Sequence, residues 1–394
     1  MKPLFVQWGG GNIGRSFIAR VFFQSGFRIL FIDINQGLVD ALNMTRSYTI
    51  ESVFEEKTTT LVVSDVSAIH ASDQEAVNEA IAEAAFLGVS VGRGAWPYIA
   101  PSLAQAISYR HARQPDNQLD IILAENIHGC RQFAASLLQP HLSAEVLLDA
   151  YVGLAETSIG KMVPIQDPTN PLILRSEPYN DLIVDQKAFH HPLPPSKDIH
   201  AVHPIAAYVD RKLFIHNMGH SAAAYLGFAL HPDRLTIAEV LKDGSIRSQV
   251  EEAMKESRDV LLALYPGVFT PSDLDDHIQD LLRRFSNHAL GDTVHRVGRD
   301  LKRKLRFDDR LLGIIIEAQK LGMHWEGIGR MYVKALSFEA PDAGGTPFLD
   351  DVRFLSSLIG LSWREKIRTA SSWDESTLSR DLLDVVANKM ELLM

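Results

Sequence analysis

Apolar residues follow two rhythms along this chain, and the rhythm changes past its middle. Leu4-Phe5-Val6-Gln7-Trp8 is nearly all apolar and too short for a helix, which predicts a buried strand. From Gly14 to Gln24 the pairs Phe17/Val21 and Ile18/Phe22 stand at helical spacing, and Gly26 ends the helix they predict. A second strand is expected from Phe27 to Ile32, closing on Asp33, with others at Thr59 to Ser64, Phe86 to Val91 and Leu119 to Leu123. Polar or helical stretches such as Asp73 to Glu83 separate them, and Glu145 to Val152 adds another apolar run. This alternation predicts an α/β domain of Rossmann type, a doubly wound parallel sheet. Pro192, Pro194 and Pro195 mark a turn-rich connection, so the boundary is drawn between residues 1–193 and 194–394. Beyond it helical spacing takes over, at Gln249 to Leu264, at Asp309 to Leu321, and in a helix opened by Thr270 as N-cap with Pro271 in first position. The second domain is therefore expected to be mostly α-helical.

The turn after the first strand carries chemistry. Gly9, Gly11 and Gly14 form G-x-G-x-x-G, and Asp33 follows nineteen residues after Gly14 at the end of the next strand. The glycines alone are a weak signal, but strand, glycine turn, helix and acidic strand end together make the βαβ dinucleotide fingerprint. Gly9 permits the tight turn, Gly11 lets the backbone approach a pyrophosphate, and Gly14 allows close packing of helix on strand. The amides of the helix start, through Asn12 and Ile13, would face the anion. Asp33 would accept hydrogen bonds from a ribose diol and repel a 2′-phosphate, so NAD is the expected cofactor. Residues 1–193 are accordingly read as the NAD-binding domain. Two further segments close expected strands: Gly92, suited to the nicotinamide half or simply a loop glycine, and Glu125-Asn126, whose amide could donate to a substrate oxygen.

At 394 residues the chain exceeds what one core usually supports, in keeping with two domains. Lys+Arg 39 against Asp+Glu 49 gives a net charge of −10, which argues against nucleic-acid or anionic-membrane binding. Cys130 is the only cysteine, so no intrachain disulfide or multi-cysteine zinc site is available, as suits a reducing cytoplasm. No signal-peptide pattern or apolar span near twenty residues is present, and a soluble cytoplasmic protein, monomeric or a small homo-oligomer, is expected.

The stretch Asp210 to Ser221 sets Lys212, Asn217 and His220 close together. On an α-helix Asn217 and His220 lie within about 60° of each other and Lys212 about 80° from His220. A lysine among Leu213, Phe214 and Ile215 could lose its charge by desolvation and abstract a proton from an alcohol. A surface lysine and a core histidine would fit the same spacing. His216 and His220 stand four apart, but Asn217 occupies the glutamate position of H-E-x-x-H and no third ligand suggests itself, so no metal is expected. Five cationic residues, Arg296, Arg299, Lys302, Arg303 and Lys304, fall within nine positions. They form either a solvated face or a cradle for a phosphate or carboxylate.

Taken together, G-G-G-N-I-G-R (Gly9 to Arg15), A-E-N (Ala124 to Asn126), R-K-L-F-x-x-N-x-G-H (Arg211 to His220), A-Y-L-G (Ala224 to Gly227) and R-V-G-R-D-x-x-R-K-L (Arg296 to Leu305) resemble the polyol-specific long-chain dehydrogenases, the mannitol dehydrogenase family. The resemblance covers most of the chain. It implies an NAD-dependent, zinc-independent enzyme interconverting a polyol and a ketose, with its active site between two domains. Lys212 matches the family's general base, Asn126 and Asn217 the pair bonded to the reacting oxygen, and His220 the substrate-orienting histidine. Arg296 and Lys304 match contacts to the far end of the substrate, with Arg299 and Arg303 as further candidates for a phosphate. Where the family usually reads D-R-I-V-P, this chain has Gly160-Lys161-Met162-Val163-Pro164, which removes a carboxylate from beside the substrate hydroxyls. The expected pair is mannitol 1-phosphate and fructose 6-phosphate. A free polyol or a sugar acid, its carboxylate on Arg296 and Lys304, is the alternative, and a non-catalytic NAD-binding sensor a second.

Overall fold

A computed structural model describes residues 2–167 and 169–394, which form two compact units, Met1–Val209 and Asp210–Met394. Among its described residues the first unit holds eleven strands: β1 (Leu4–Trp8), β2 (Arg28–Asp33), β3 (Ser47–Phe54), β4 (Lys57–Ser64), β5 (Val66–His70), β6 (Phe86–Val89), β7 (Leu119–Leu123), β8 (Val152–Ser158), β9 (Ile173–Ser176), β10 (Leu182–Asp185) and β11 (Ile199–Val202). Eight of them make one sheet in the order β11-β10-β8-β7-β6-β1-β2-β5. From β8 to β5 every neighbouring pair is parallel, and β10 runs antiparallel to β8. The strand order reverses between β1 and β6, the switch point at which such sheets open a crevice for ligands.

Burial on both faces explains the strand sequences. Every residue of β1, β6 and β7 is buried, and helices cover the sheet on each side. Phe5 of β1 stacks on Phe22 of the following helix with centroids 3.9 Å apart.

The run Thr59 to Ser64 forms a strand, but not in this sheet. It belongs to β4, which pairs antiparallel with β3 across a tight turn and makes a separate three-stranded sheet with β9. Its residues explain why: Lys57 to Thr60 are exposed on both faces, and only Val63, between exposed Val62 and Ser64, is buried, which suits a hairpin at the surface and not a strand covered on both sides. The stretch Pro192 to Pro195 lies within the first unit, and β11 follows it.

The second unit is helical, with isolated bridges at Thr236/Thr293 and Pro341/Pro347. The Pro271–Phe285 helix begins with a capping box, Thr270 accepting from the Asp273 amide and Asp273 from the Thr270 amide. The helix Met218–Leu230 is buried along most of its length and packs against Gly244–Leu264, Val294–Gly298 and Glu326–Ala335. Among the described residues no helix is long and apolar enough to cross a membrane.

Candidate active site

In the first unit the glycine turn has the shape that a dinucleotide needs. Gly9 has φ +92°, and a Cβ there would come within 2.4 Å of the Ser90 carbonyl oxygen. A Cβ on Gly14 would lie 2.0 Å from the Gly9 carbonyl oxygen, so helix and turn could not close with any larger residue. A Cβ on Gly11, by contrast, would meet nothing within 4 Å. Gly11 and Asn12 are exposed at the tip, with Ile13 half-buried behind them. The Asp33 carboxylate is fixed beside them, Oδ2 accepting from the Gly10 amide at 2.6 Å and Oδ1 from the Asn35 amide at 2.8 Å. Open space over the turn and an acceptor at the end of β2 fit a pyrophosphate and a ribose.

The helix after this turn starts as a π-helix, Gly14–Ile18, before continuing as Ala19–Gln24. Arg15 lies in that wide turn, buried, with Nε donating to the Gly10 carbonyl at 2.5 Å and Nη1 to the Pro171 carbonyl.

Glu125 is 7% exposed and turned inward. Its carboxylate accepts from the Val91 amide at 2.7 Å, the Gly92 amide at 3.0 Å and Trp96 Nε1 at 3.1 Å. Burial raises its pKa and these donors oppose the rise. Glu125 thus ties the turn after β6, where Gly92 has φ +80°, to the end of β7. Asn126, the next residue, is exposed. One strand further along the sheet, a Cβ on Gly160 would touch the Tyr179 ring at 3.4 Å. The adjacent Lys161, 6% exposed, donates from Nζ to the carbonyls of Glu177 and Tyr179 at 3.0 and 2.8 Å and to Asn180 Oδ1 at 2.7 Å.

In the second unit Lys212 opens another π-helix, Lys212–Asn217, which runs into Met218–Leu230. On a regular α-helix Lys212 and Asn217 would face about 140° apart. An i→i+5 bond closes a turn over about four to five residues, which returns Asn217 toward the face of Lys212. Sequence spacing read on an α-helix cannot show this.

Lys212 is half-buried, and its pKa falls from 10.5 to about 7. Burial is the main cause, the Arg310 guanidinium adds to it, Asp309 opposes it and Arg303 contributes. Asp309 in turn accepts from the Arg310 amide at 2.7 Å and Arg310 Nε at 2.8 Å, with Arg303 Nη1 3.4 Å away.

The His220 ring stacks on Phe285 with centroids 4.6 Å apart and planes 6° from parallel. Its Nε2 lies 3.4 Å from Oδ2 of Asp292, whose Oδ1 pairs with Arg296. Asp292 beside His220, like Arg310 beside Lys212, escapes sequence reasoning. The one hint is that Asp292 stands four residues before Arg296.

The basic stretch divides. Arg299 is exposed with its guanidinium 5.5 Å over the Phe348 ring, and Arg303 is exposed and paired with Asp300 at 2.5 Å. Lys304 is 6% exposed and donates to the carbonyls of Val297 and Arg299 at 2.7 and 2.5 Å, closing the loop between two short helices. Burial lowers its pKa to about 7; a neutral amine still carries two hydrogens, one for each carbonyl. His216 is buried beside Phe285, and burial, then Arg284, hold its pKa well below the usual value. Among the described residues no three His, Cys, Asp or Glu side chains converge as for a metal ion.

Two family models match the chain, the mannitol dehydrogenase Rossmann domain over residues 4–197 and the mannitol dehydrogenase C-terminal domain over residues 204–376. Mannitol-1-phosphate 5-dehydrogenase of Streptococcus mutans is 34% identical over 324 residues, 82% of this chain and 84% of that protein. The enzyme of the same name from Brevibacillus brevis is 32% identical over 373 residues, 93% of each. Among solved structures, Pseudomonas fluorescens mannitol 2-dehydrogenase, in ternary complex with NAD and D-mannitol, superposes with TM-score 0.74 at 16% identity, over all of this chain and 92% of that one. A substrate-free D-sorbitol dehydrogenase superposes with TM-score 0.78 at 14% identity, over all of this chain and 93% of that one. At such identities these two speak for the fold.

Proposed function

The chain belongs to the mannitol dehydrogenase family and is an NAD-dependent polyol oxidoreductase; on that premise we propose that it interconverts mannitol 1-phosphate and fructose 6-phosphate with Lys212 as general base. The carrying observation is the Lys212 amine, whose charge burial and Arg310 hold off until about pH 7, in the same π-helical turn as Asn217. Bound NAD supplies the hydride acceptor. Gly9, Gly11, Asn12, Ile13 and Gly14 would hold its pyrophosphate and Asp33 its ribose. Glu125 would act through the Gly92 turn that it ties down.

In this reading neutral Lys212 takes the proton of the substrate hydroxyl as its carbon is oxidised, and returns it to the ketose oxygen in the reverse direction. The amides of Asn126 and Asn217 donate to the same oxygen, and losing one such donor costs on the order of 3 kcal/mol. His220 orients a neighbouring hydroxyl. Arg296, Arg299 and Arg303 meet the phosphate, and Lys304 keeps the 297–304 loop in shape from beneath. The units Met1–Val209 and Asp210–Met394 then serve as cofactor and substrate domains of a cytoplasmic enzyme, a monomer or small homo-oligomer.

NADH oxidation with fructose 6-phosphate, fructose and a ketouronate tests the substrate. Fructose 6-phosphate should give the highest kcat/KM by at least tenfold. A ketouronate preference would instead make the far-end ligand a carboxylate, and NADH binding without turnover of any ketose would indicate a sensor.

A further inference from the structure

We propose that Asp351 is a positioning residue for the phosphate end of the substrate: its carboxylate caps the Leu301–Lys304 helix from a distant segment, and so leaves the Asp300 carboxylate to hold Arg303. This rests on the reading above, in which Arg299 and Arg303 meet a sugar phosphate.

An aspartate just before a helix ordinarily turns its side chain back on the first free amides. Asp300 stands in that position before Leu301–Lys304 and makes no such bond. Its carboxylate reaches forward instead, accepting from Arg303 Nε at 2.5 Å. The amides of Asp300 and Leu301 are taken by Asp351, Oδ2 accepting from the first at 2.8 Å and Oδ1 from the second at 2.7 Å. Asp351 is 4% exposed, and a carboxylate at the head of a helix suits the partial positive charge there. It also steadies a strained corner. Asp300 has φ +74° and ψ +48°, a conformation that residues with a side chain adopt rarely and keep only where their surroundings hold them.

The segment that carries Asp351 meets the basic stretch on both sides of Gly298. Upstream, His295 Nδ1 donates to the Ala340 carbonyl at 2.8 Å. At Gly298 itself the Phe338 ring lies so close that a Cβ would come within 2.0 Å of it. Downstream, the Phe348 ring lies 5.5 Å from the Arg299 guanidinium carbon. A bridge between Pro341 and Pro347 joins the two arms, and Asp342 Oδ1 accepts from the Gly344 and Thr346 amides inside the turn. An aromatic face under a guanidinium fixes its plane and leaves the N–H edge for an oxyanion. Arg299 and Arg296 stand near enough that, after burial, the Arg299 charge lowers the Arg296 pKa, a repulsion that a phosphate would relieve. A free ketose has no group that uses this arrangement. Loss of Asp351 should therefore be felt by a phosphorylated substrate and not by an unphosphorylated one.

Asp351→Asn, nearly the same size, gives up one of the two acceptors and is the test, on the full chain with NADH bound. Hydrogen exchange at the Asp300 and Leu301 amides, read by NMR, should speed up about tenfold. The kcat/KM for fructose 6-phosphate should fall about tenfold, through KM, while kcat, the NADH dissociation constant and the kcat/KM for free fructose stay within about twofold of native. Asp351→Glu keeps both acceptors and should recover part of the loss. Phe348→Leu, which removes only the ring beneath Arg299, should raise the KM for fructose 6-phosphate about threefold with both amides protected as in the native protein. Equal losses with fructose and fructose 6-phosphate overturn the proposal, since an aspartate that merely holds the fold acts on both alike. Unchanged exchange at both amides overturns it too. If the native enzyme reduces fructose as well as fructose 6-phosphate, the phosphate reading fails and takes this proposal with it. A native preference for the phosphate together with an indifferent Asp351→Asn protein sinks this proposal alone.

Discussion

The depressed pKa of Lys212 makes a quantitative demand on the pH dependence of turnover. At its ordinary value of 10.5 an amine at pH 7 is neutral in about one molecule in three thousand, whereas at about 7 it is neutral in about half. The difference corresponds to about 5 kcal/mol of preference against the ammonium, taken mainly from burial and then from Arg310. Polyol oxidation needs the neutral form. Its kcat/KM, followed as NADH absorbance from pH 5.5 to 9.5, should climb tenfold per pH unit at the acid end and level off above about 7. Ketose reduction needs the ammonium and should fall above the same point. The phosphate of the substrate ionises near 6, so the break is read again with free mannitol, where only the enzyme titrates. Lys212→Met should lose roughly 10²- to 10⁴-fold in kcat with NADH binding kept. The stability sign runs the other way. A folded-state pKa below the unfolded one means that burying the charge costs stability in full below about pH 7, and the cost fades as pH approaches 10.5. Lys212→Met should therefore melt higher than the native protein, most clearly at low pH. An oxidation profile flat from pH 6 to 9, or one still rising at 9.5, would refute the reasoning.

The neighbours of Lys212 should move that break in opposite directions, upward in Arg310→Met, which removes a cation, and downward in Asp309→Asn, which removes the carboxylate that favours the ammonium. Shifts of the same sign in both would show that packing, not charge, sets the amine. Glu125→Gln puts an amide where a carboxylate accepts three N–H groups, and should weaken NADH binding about tenfold or more by fluorescence titration; an unchanged dissociation constant would remove Glu125 from the cofactor site. Lys161→Met leaves three buried or half-buried oxygens without their donor and should cost about 3 kcal/mol in urea unfolding, and a loss under 0.5 kcal/mol would show that those oxygens find other partners.

What the sequence determined by itself is what depends on neighbours a few residues apart. Leu4–Trp8 is a strand, Asp33 closes the next one, Thr270 caps a helix and the second half is helical, because hydrophobic period, glycine turns and capping are local matters. The K-x4-N-x2-H spacing and the glycine turn could be seen without coordinates for the same reason. Tertiary structure decided the rest, because burial and charge act through space. It put Thr59 to Ser64 in a hairpin outside the parallel sheet, where a polar face could stay wet. It wound Lys212–Asn217 as a π-helix, so that residues five apart share a face. It turned Lys304 inward to two carbonyls while leaving Arg299 and Arg303 outside, a division that five cations in a row do not reveal. And it brought Asp292 to His220 across seventy-two positions of chain, and Arg310 to Lys212 across ninety-eight, at separations where no periodicity carries information and only packing sets the distance.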